Sequence, residues 1–200
     1  MNRWNERYAG EDFLFGTAPN AFLMAQRARL PQHGTALAVA DGEGRNGVWL
    51  AEQGLDVLAV DASDVGLAKS RRLAAERKVR MMWELADLSS WDFGRERFDV
   101  IAAIFIQFAD PALRARIFAG MSAALKPGGV LLLEGYRPEQ LGYGTGGPSE
   151  VANLYTAAML RGAFADLAIE HLAAYDAEIH EGSGHRGMSA LIDLVARKPG

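Results

Sequence analysis

The sequence has no cysteine among its 200 residues. That absence excludes disulfides, a thiolate nucleophile and zinc sites built on cysteine. Long apolar runs are also missing. The longest, around Val100–Phe108, is interrupted by Gln107 and is too short to cross a bilayer. The opening residues, Met1-Asn-Arg-Trp-Asn-Glu-Arg-Tyr8, are too polar for the apolar region of a signal peptide. The expectation is a cytoplasmic protein with no membrane partner. Basic charge is not in excess either. A net charge of −4 and a pI near 5.6 give no general attraction to nucleic acid. The cluster Lys69, Arg71, Arg72, Arg77, Lys78, Arg80 reads as the solvated face of a helix. No metal site is expected. His180 and His185 are spaced His-Glu-x-x-x-His, which is not the metalloprotease spacing, and no third ligand is evident.

What is present is an ordinary globular composition, 50% hydrophobic, which suits one domain over residues 1–200. Strand and helix signals alternate, as in an α/β protein with a mainly parallel sheet. Strands are expected at about 36–40, 56–60, 79–84, 98–106, 130–133, 167–174 and 188–196. Helices are expected from Arg45 to Gln53, after the cap residue Ser63, after Asp110-Pro111, and near 150–163. Residues 175–187 read as a polar link between the last two strands. The glycine-rich stretch Gly135–Pro148 is a long loop of the kind that is more often functional than idle.

The chemistry begins at residues 36–47, where an apolar run breaks into Asp41-Gly-Glu-Gly-Arg-Asn-Gly47 and then a helix. Nineteen residues after Gly42, a second apolar run ends in Asp61. Glycines let backbone approach a ligand closely, and the later carboxylate can accept from ribose hydroxyls. Gly42, Gly44 and Gly47 formally match G-x-G-x-x-G. A dinucleotide would place its pyrophosphate here, against the carboxylates Asp41 and Glu43, and like charges repel. S-adenosylmethionine (SAM) has no phosphate and carries a sulfonium and an ammonium. The acidic loop therefore favours SAM. A dinucleotide-dependent oxidoreductase and a SAM-binding sensor without catalysis remain as alternatives.

Several short motifs occur in a specific order: Trp4-Asn-Glu-Arg-Tyr8, Phe15-Gly-Thr-Ala-Pro-Asn20, Gly42-Glu-Gly-Arg-Asn46, Val60-Asp-Ala-Ser63, Ala86-Asp-Leu88 and Leu125-Lys-Pro-Gly-Gly129. Glu134-Gly-Tyr-Arg-Pro-Glu-Gln-Leu141, Gly146-Gly-Pro148 and His180-Glu-Gly-Ser-Gly-His-Arg-Gly187 follow. Together they resemble the class I SAM-dependent methyltransferases, in the small bacterial branch related to tellurite-resistance and thiopurine methyltransferases. The resemblance covers nearly the whole chain. It implies a Rossmann-like three-layer sandwich, with a seven-stranded, mostly parallel sheet whose last strand is antiparallel. It implies SAM bound by Ala40, Asp41, Gly42, Glu43, Gly44 and Asn46 at the methionine end. Asp61 and Ala62 would lie at the ribose, Asp87 and Leu88 at the adenine, and Ile104 and Phe105 beside the cofactor.

Three positions depart from the family pattern. Ala38, Val39 and Ala40 stand where acidic-x-Gly is usual, and Asp41 where Cys is frequent. Asp41 is expected to supply the negative charge missing at Ala38. Ala40 is tolerable in place of glycine if its φ is negative. The acceptor is expected to be a small molecule, with a soft sulfur, selenium or tellurium nucleophile as one class. No nucleic acid is expected as substrate. Residues 1–25 would form an arm over the pocket, with Trp4, Tyr8 and Phe15 facing it. Arg137, Gln140 and Arg186 would line the acceptor side, and His180, His185 or Tyr136 would serve as base if one is needed.

Overall fold

The computed structural model describes residues 3–200, so the first two residues of the expected arm lie outside the described residues. The chain runs α1 (Arg3–Arg7), α2 (Ala21–Ala25), β1 (Thr35–Val39), α3 (Arg45–Glu52), β2 (Asp56–Asp61), α4 (Asp64–Arg77), β3 (Met82–Leu85) and β4 (Phe98–Ile104). It continues with α5 (Pro111–Ala124), β5 (Leu125–Tyr136), α6 (Gln140–Tyr143), α7 (Ala157–Ala163), β6 (Ala168–Glu181) and β7 (His185–Arg197). The seven strands form one sheet in the order β3-β2-β1-β4-β5-β7-β6, in which β7 alone runs antiparallel to its neighbours.

Alternation along the strands builds three layers. In β1, Leu37 and Val39 face a core that includes Ile117, Phe118 and Met121 of α5 and Leu160 of α7. Ala36 and Ala38 face the other core, with Phe22 and Leu23 of α2 and Trp49 and Leu50 of α3. Side chains two apart on a strand share a face, so one strand serves both cores. The strand order reverses between β1 and β4. The crevice beyond the carboxyl ends of those two strands is where an open α/β sheet binds ligands.

Four expected elements differ. The third strand is Met82–Leu85, because Lys78 closes α4 in a left-handed conformation, and the chain needs three more residues before it pairs with β2. In β5, Leu125 pairs with Phe98 but Val130 pairs with Val100, so residues 126–129 loop out as the expected turn within a longer strand. The helix near 150–163 divides into a 3-10 turn at Val151–Asn153 and α7. Between them Tyr155 donates its amide to the Tyr136 carbonyl and buries its ring against Gly135. The polar link at 175–187 is mostly strand. β6 and β7 pair up to Glu181↔His185, leaving residues 182–184 as the turn. Its polar residues reflect a long hairpin with one solvated face.

Candidate functional site

The glycine loop is fixed from behind. Gly44 caps α3 at φ +93°, and an added Cβ there would lie 2.2 Å from the Ser70 hydroxyl, so only glycine fits. Ala40 is left-handed, at φ +49°. This corrects the condition of a negative φ: the position has the glycine conformation without glycine. Phe105, at the matching end of β4, is also left-handed at φ +55°. Two non-glycine residues in this conformation flank the crevice, and such strain persists where the surroundings over-determine it.

A cavity of about 560 Å³ opens at this crevice. Its acidic end is formed by Asp41, Asp61 and Asp87, with Ala40, Asn46, Ala62, Leu88, Ile104 and Phe105 around them. Asp61 accepts from the Gly42 amide at 2.7 Å and the Ser63 amide at 2.8 Å. Burial raises its pKa, against the lowering effect of those amides. Asp41 accepts from the Gly47 amide at 3.0 Å through Oδ1, while Oδ2 is buried with no partner among the described residues. Burial pushes its carboxyl up to about 7. An orphaned, desolvated carboxylate lining a cavity fits a cationic ligand group. Asp87 is exposed and accepts from the Ser89 amide, which lowers its pKa.

The other end is aromatic. Trp4 stacks on Tyr8 at 5.5 Å, Tyr8 meets Phe15 edge-on at 6.3 Å, and Phe15 meets His185 at 4.4 Å. His185 contacts Phe105 at 4.5 Å, and Phe105 packs on Tyr136 at 4.7 Å. Arg3 and Arg7 stand at this rim, with the Arg7 guanidinium 4.8 Å from the Trp4 ring. Burial raises the Tyr8 and Tyr136 pKa values and lowers that of His185. Gly146, Gly147, Pro148 and Gly184 close the wall, so the long loop and the hairpin do share one cavity with the arm.

Other expected site residues lie outside it. Gly42, Glu43 and Gly44 stand behind the cavity wall. Glu43 turns away from it and fastens the arm, accepting from Lys69 Nζ at 2.8 Å and from the Leu14 amide at 2.8 Å. Lys69 also donates to the Asp12 carbonyl at 2.7 Å. His180 and Arg186 are cross-strand partners on the outer face of the hairpin, both exposed, and Glu181 and His185 form the pair on the opposite face. Arg137 is drawn into ion pairs with Asp176 and Glu139. Gln140 is buried but holds the loop, bonding Thr145 at 2.9 Å and the Ala190 amide at 2.8 Å.

Sequence reasoning assigned no role to Arg45, Gln107, Glu181, Arg3 or Arg7. Arg45 bonds Glu181 at 2.7 Å and lines the cavity. Gln107 donates to the Tyr136 carbonyl and accepts from its amide, pinning β5 beside Phe105. Its interruption of an apolar run was the available signal. Nothing in the sequence marked Glu181, whose place depends on the hairpin register.

A family profile described as a methyltransferase domain matches residues 36–129. No curated protein matches the chain significantly. Among solved structures, one from a study of the conversion of a disulfide bond into a thioacetal group during echinomycin biosynthesis is similar at 19% identity and TM-score 0.77. That match covers 98% of this chain and 88% of the other. TehB from Haemophilus influenzae is similar at 17% identity and TM-score 0.72, over 98% of this chain and 65% of that one. Magnesium protoporphyrin IX methyltransferase from Synechocystis, solved with bound SAH, is similar at 15% identity and TM-score 0.66, over 89% and 78%. These structural likenesses are likenesses of fold.

Sheet order, crevice and matched domain define the class I methyltransferase fold. Residues 36–129, which hold the glycine loop, Asp61 and Asp87, match a methyltransferase domain. Among the described residues no helix is long and apolar enough to cross a membrane.

Proposed function

We propose that the chain transfers the SAM methyl group to a small, soft nucleophile held at the aromatic end of the cavity. One observation carries this reading: a single cavity is acidic at one end and aromatic with basic rim residues at the other. SAM supplies a methyl carbon already activated by a positive sulfur. Asp61 would accept from the ribose hydroxyls, Asp87 from the adenine amino group, and the Leu88 amide would face the ring. Asp41 would oppose the cationic end. The arm, with Trp4, Tyr8 and Phe15, would exclude water and orient the acceptor, which is the main contribution a protein makes to an in-line displacement. Arg7, rather than Arg137 or Arg186, would favour an acceptor with negative charge.

The test is calorimetric titration with SAM, its demethylated product and NAD, followed by an acceptor screen read by SAM consumption. SAM and product should bind, and NAD should not. Asp61→Ala should weaken SAM by roughly 1.5–3 kcal/mol, the range for a hydrogen bond to a charged group. NAD binding without SAM binding would overturn the reading, and unchanged SAM affinity in a folded Asp61→Ala protein would overturn the ribose assignment.

A further inference from the structure

His185 is enclosed by Phe15, Phe105 and Tyr136. Its Nδ1 is buried and lies 3.6 Å from Glu181 Oε2. That is just beyond hydrogen-bond reach, as catalytic contacts often are before the ligand is in place. The ring lines the cavity, and of its two nitrogens Nδ1 is the one buried without a hydrogen-bond partner among the described residues. Glu181 is itself held. Oε2 accepts from Arg45 at 2.7 Å, and Oε1 accepts from Asn20 Nδ2 at 3.0 Å. Asn20 in turn accepts from the Leu23 amide at 2.9 Å as the cap of α2. The carboxylate is thus fixed at the hairpin end by groups from two other elements, and it faces only one of the two imidazole nitrogens.

We propose that Glu181 is a positioning residue which keeps the His185 proton on Nδ1, so that Nε2 faces the acceptor as a proton-accepting nitrogen. The inference rests on the functional reading above and narrows its substrate class to an acceptor that arrives with a proton, such as a thiol, rather than a preformed oxyanion. The proton of the acceptor moves to Nε2, giving an imidazolium beside Glu181. The electron pair of the broken bond to hydrogen forms the new bond to the methyl carbon. The pair of the broken carbon–sulfur bond stays with the sulfur, which becomes neutral.

The charged groups that face His185 are Glu181 on β6, Arg45 on α3 and Arg7 on α1, and Tyr136 on β5 is its remaining polar neighbour. Burial lowers the His185 pKa most, and Arg45 and Arg7 lower it further, while Glu181 raises it. The ring is therefore neutral at neutral pH, the form a base requires. Burial works to raise the Glu181 pKa, but the contacts with His185 and Arg45 together outweigh it and lower the carboxyl to about 2, so Glu181 stays ionised. Sequence spacing shows none of this, because residues 181 and 185 meet only through the cross-strand register of β6 and β7.

The experiment is nitrogen–proton correlation NMR of the four histidines across pH, with the demethylated product present. The His185 signals are identified by their loss in His185→Gln. In the wild type, His185 should carry its neutral-state proton on Nδ1 and titrate below 6.5. In Glu181→Gln its midpoint should fall by about one unit, because Glu181 alone raises it. Glu181→Asp, which retains the charge, should recover part of that shift. A wild-type ring protonated on Nε2, or a Glu181→Gln spectrum with an unmoved His185, overturns the proposal. Should Glu181→Gln fail to fold, the wild-type tautomer still decides. Failure of SAM to bind in calorimetry would overturn the functional reading instead, so the two failures are distinguishable.

Discussion

Asp41 and Ala40 show what single residues contribute at the glycine loop. With its carboxyl raised to about 7, Asp41 is only partly ionised near neutrality. A cationic ligand prefers the ionised form, so SAM affinity should rise with pH. At pH 6 it should be about tenfold weaker than at pH 8, and Asp41→Asn should lose that part of the dependence. Calorimetry of both proteins checks this, and parallel pH profiles would rule out a role for Asp41. Ala40 stands at φ +49°, where a Cβ costs about 1–2 kcal/mol. Ala40→Gly relieves that cost but adds backbone entropy to the unfolded chain. Its net effect should be stabilisation by up to about 1 kcal/mol, read by urea unfolding, and a loss of stability would contradict the strain. The loop itself was legible from its glycines and from Asp61. The left-handed Ala40 was not, because sequence does not reveal φ at a position where another residue type is usual.

Among the elements, the arm depends on a buried ion pair. Glu43 and Lys69 are both nearly inaccessible, with side-chain exposures of 3% and 9%. Lys69→Met should leave Glu43 buried without its counter-charge and lose the bond to the Asp12 carbonyl. The expected cost is about 3–5 kcal/mol, and the arm should become a preferred site of proteolysis. A change below about 1 kcal/mol in urea unfolding would show that the pair is dispensable. Strands with unbroken apolar runs, such as β4, were readable, as were the helices with clear caps at Ser63 and Asp110. The hairpin was not, because its solvated face dilutes the apolar alternation and makes strand look like link. That one misreading carried His180 and Arg186 to the wrong face and left Glu181 without a role.

The whole molecule combines these titrations. Glu134 and Asp193 are directly opposed across β5 and β7; burial raises both pKa values, and the Asp193 charge raises that of Glu134 further, while hydrogen bonds with Tyr175 and Glu134 partly offset the rise at Asp193. Asp41 and Asp61 are raised too. Such groups keep protons in the folded state at pH values where the unfolded chain has released them, so stability falls as pH rises toward their folded values. His185 acts oppositely but singly: below 6.5 the unfolded chain binds a proton that the folded chain refuses. Asp99, Glu170 and Glu181 have lowered pKa values and withdraw support only in strong acid. The ligand-free protein should therefore melt at a lower temperature at pH 8 than at pH 6, and Asp193→Asn should reduce the difference. A higher melting temperature at pH 8 would refute this.

The turn between β6 and β7 lies against the arm: the Gly184 amide donates to the Leu14 carbonyl at 2.9 Å, and an added Cβ on Gly182 would lie 2.3 Å from that same oxygen. On the ribosome, this contact joins a segment that emerges ahead of β1 with a turn that emerges only after β6. The strands that carry Asp41, Asp61 and Asp87 leave the exit tunnel while the wall bearing His185 is still untranslated. A growing chain can thus assemble the crevice around Asp41, Asp61 and Asp87 early, but the cavity lacks its far wall until the β6–β7 hairpin has been made. Closing so long a loop is a late and entropically costly step, and the order of synthesis alone keeps the cavity open until the hairpin arrives.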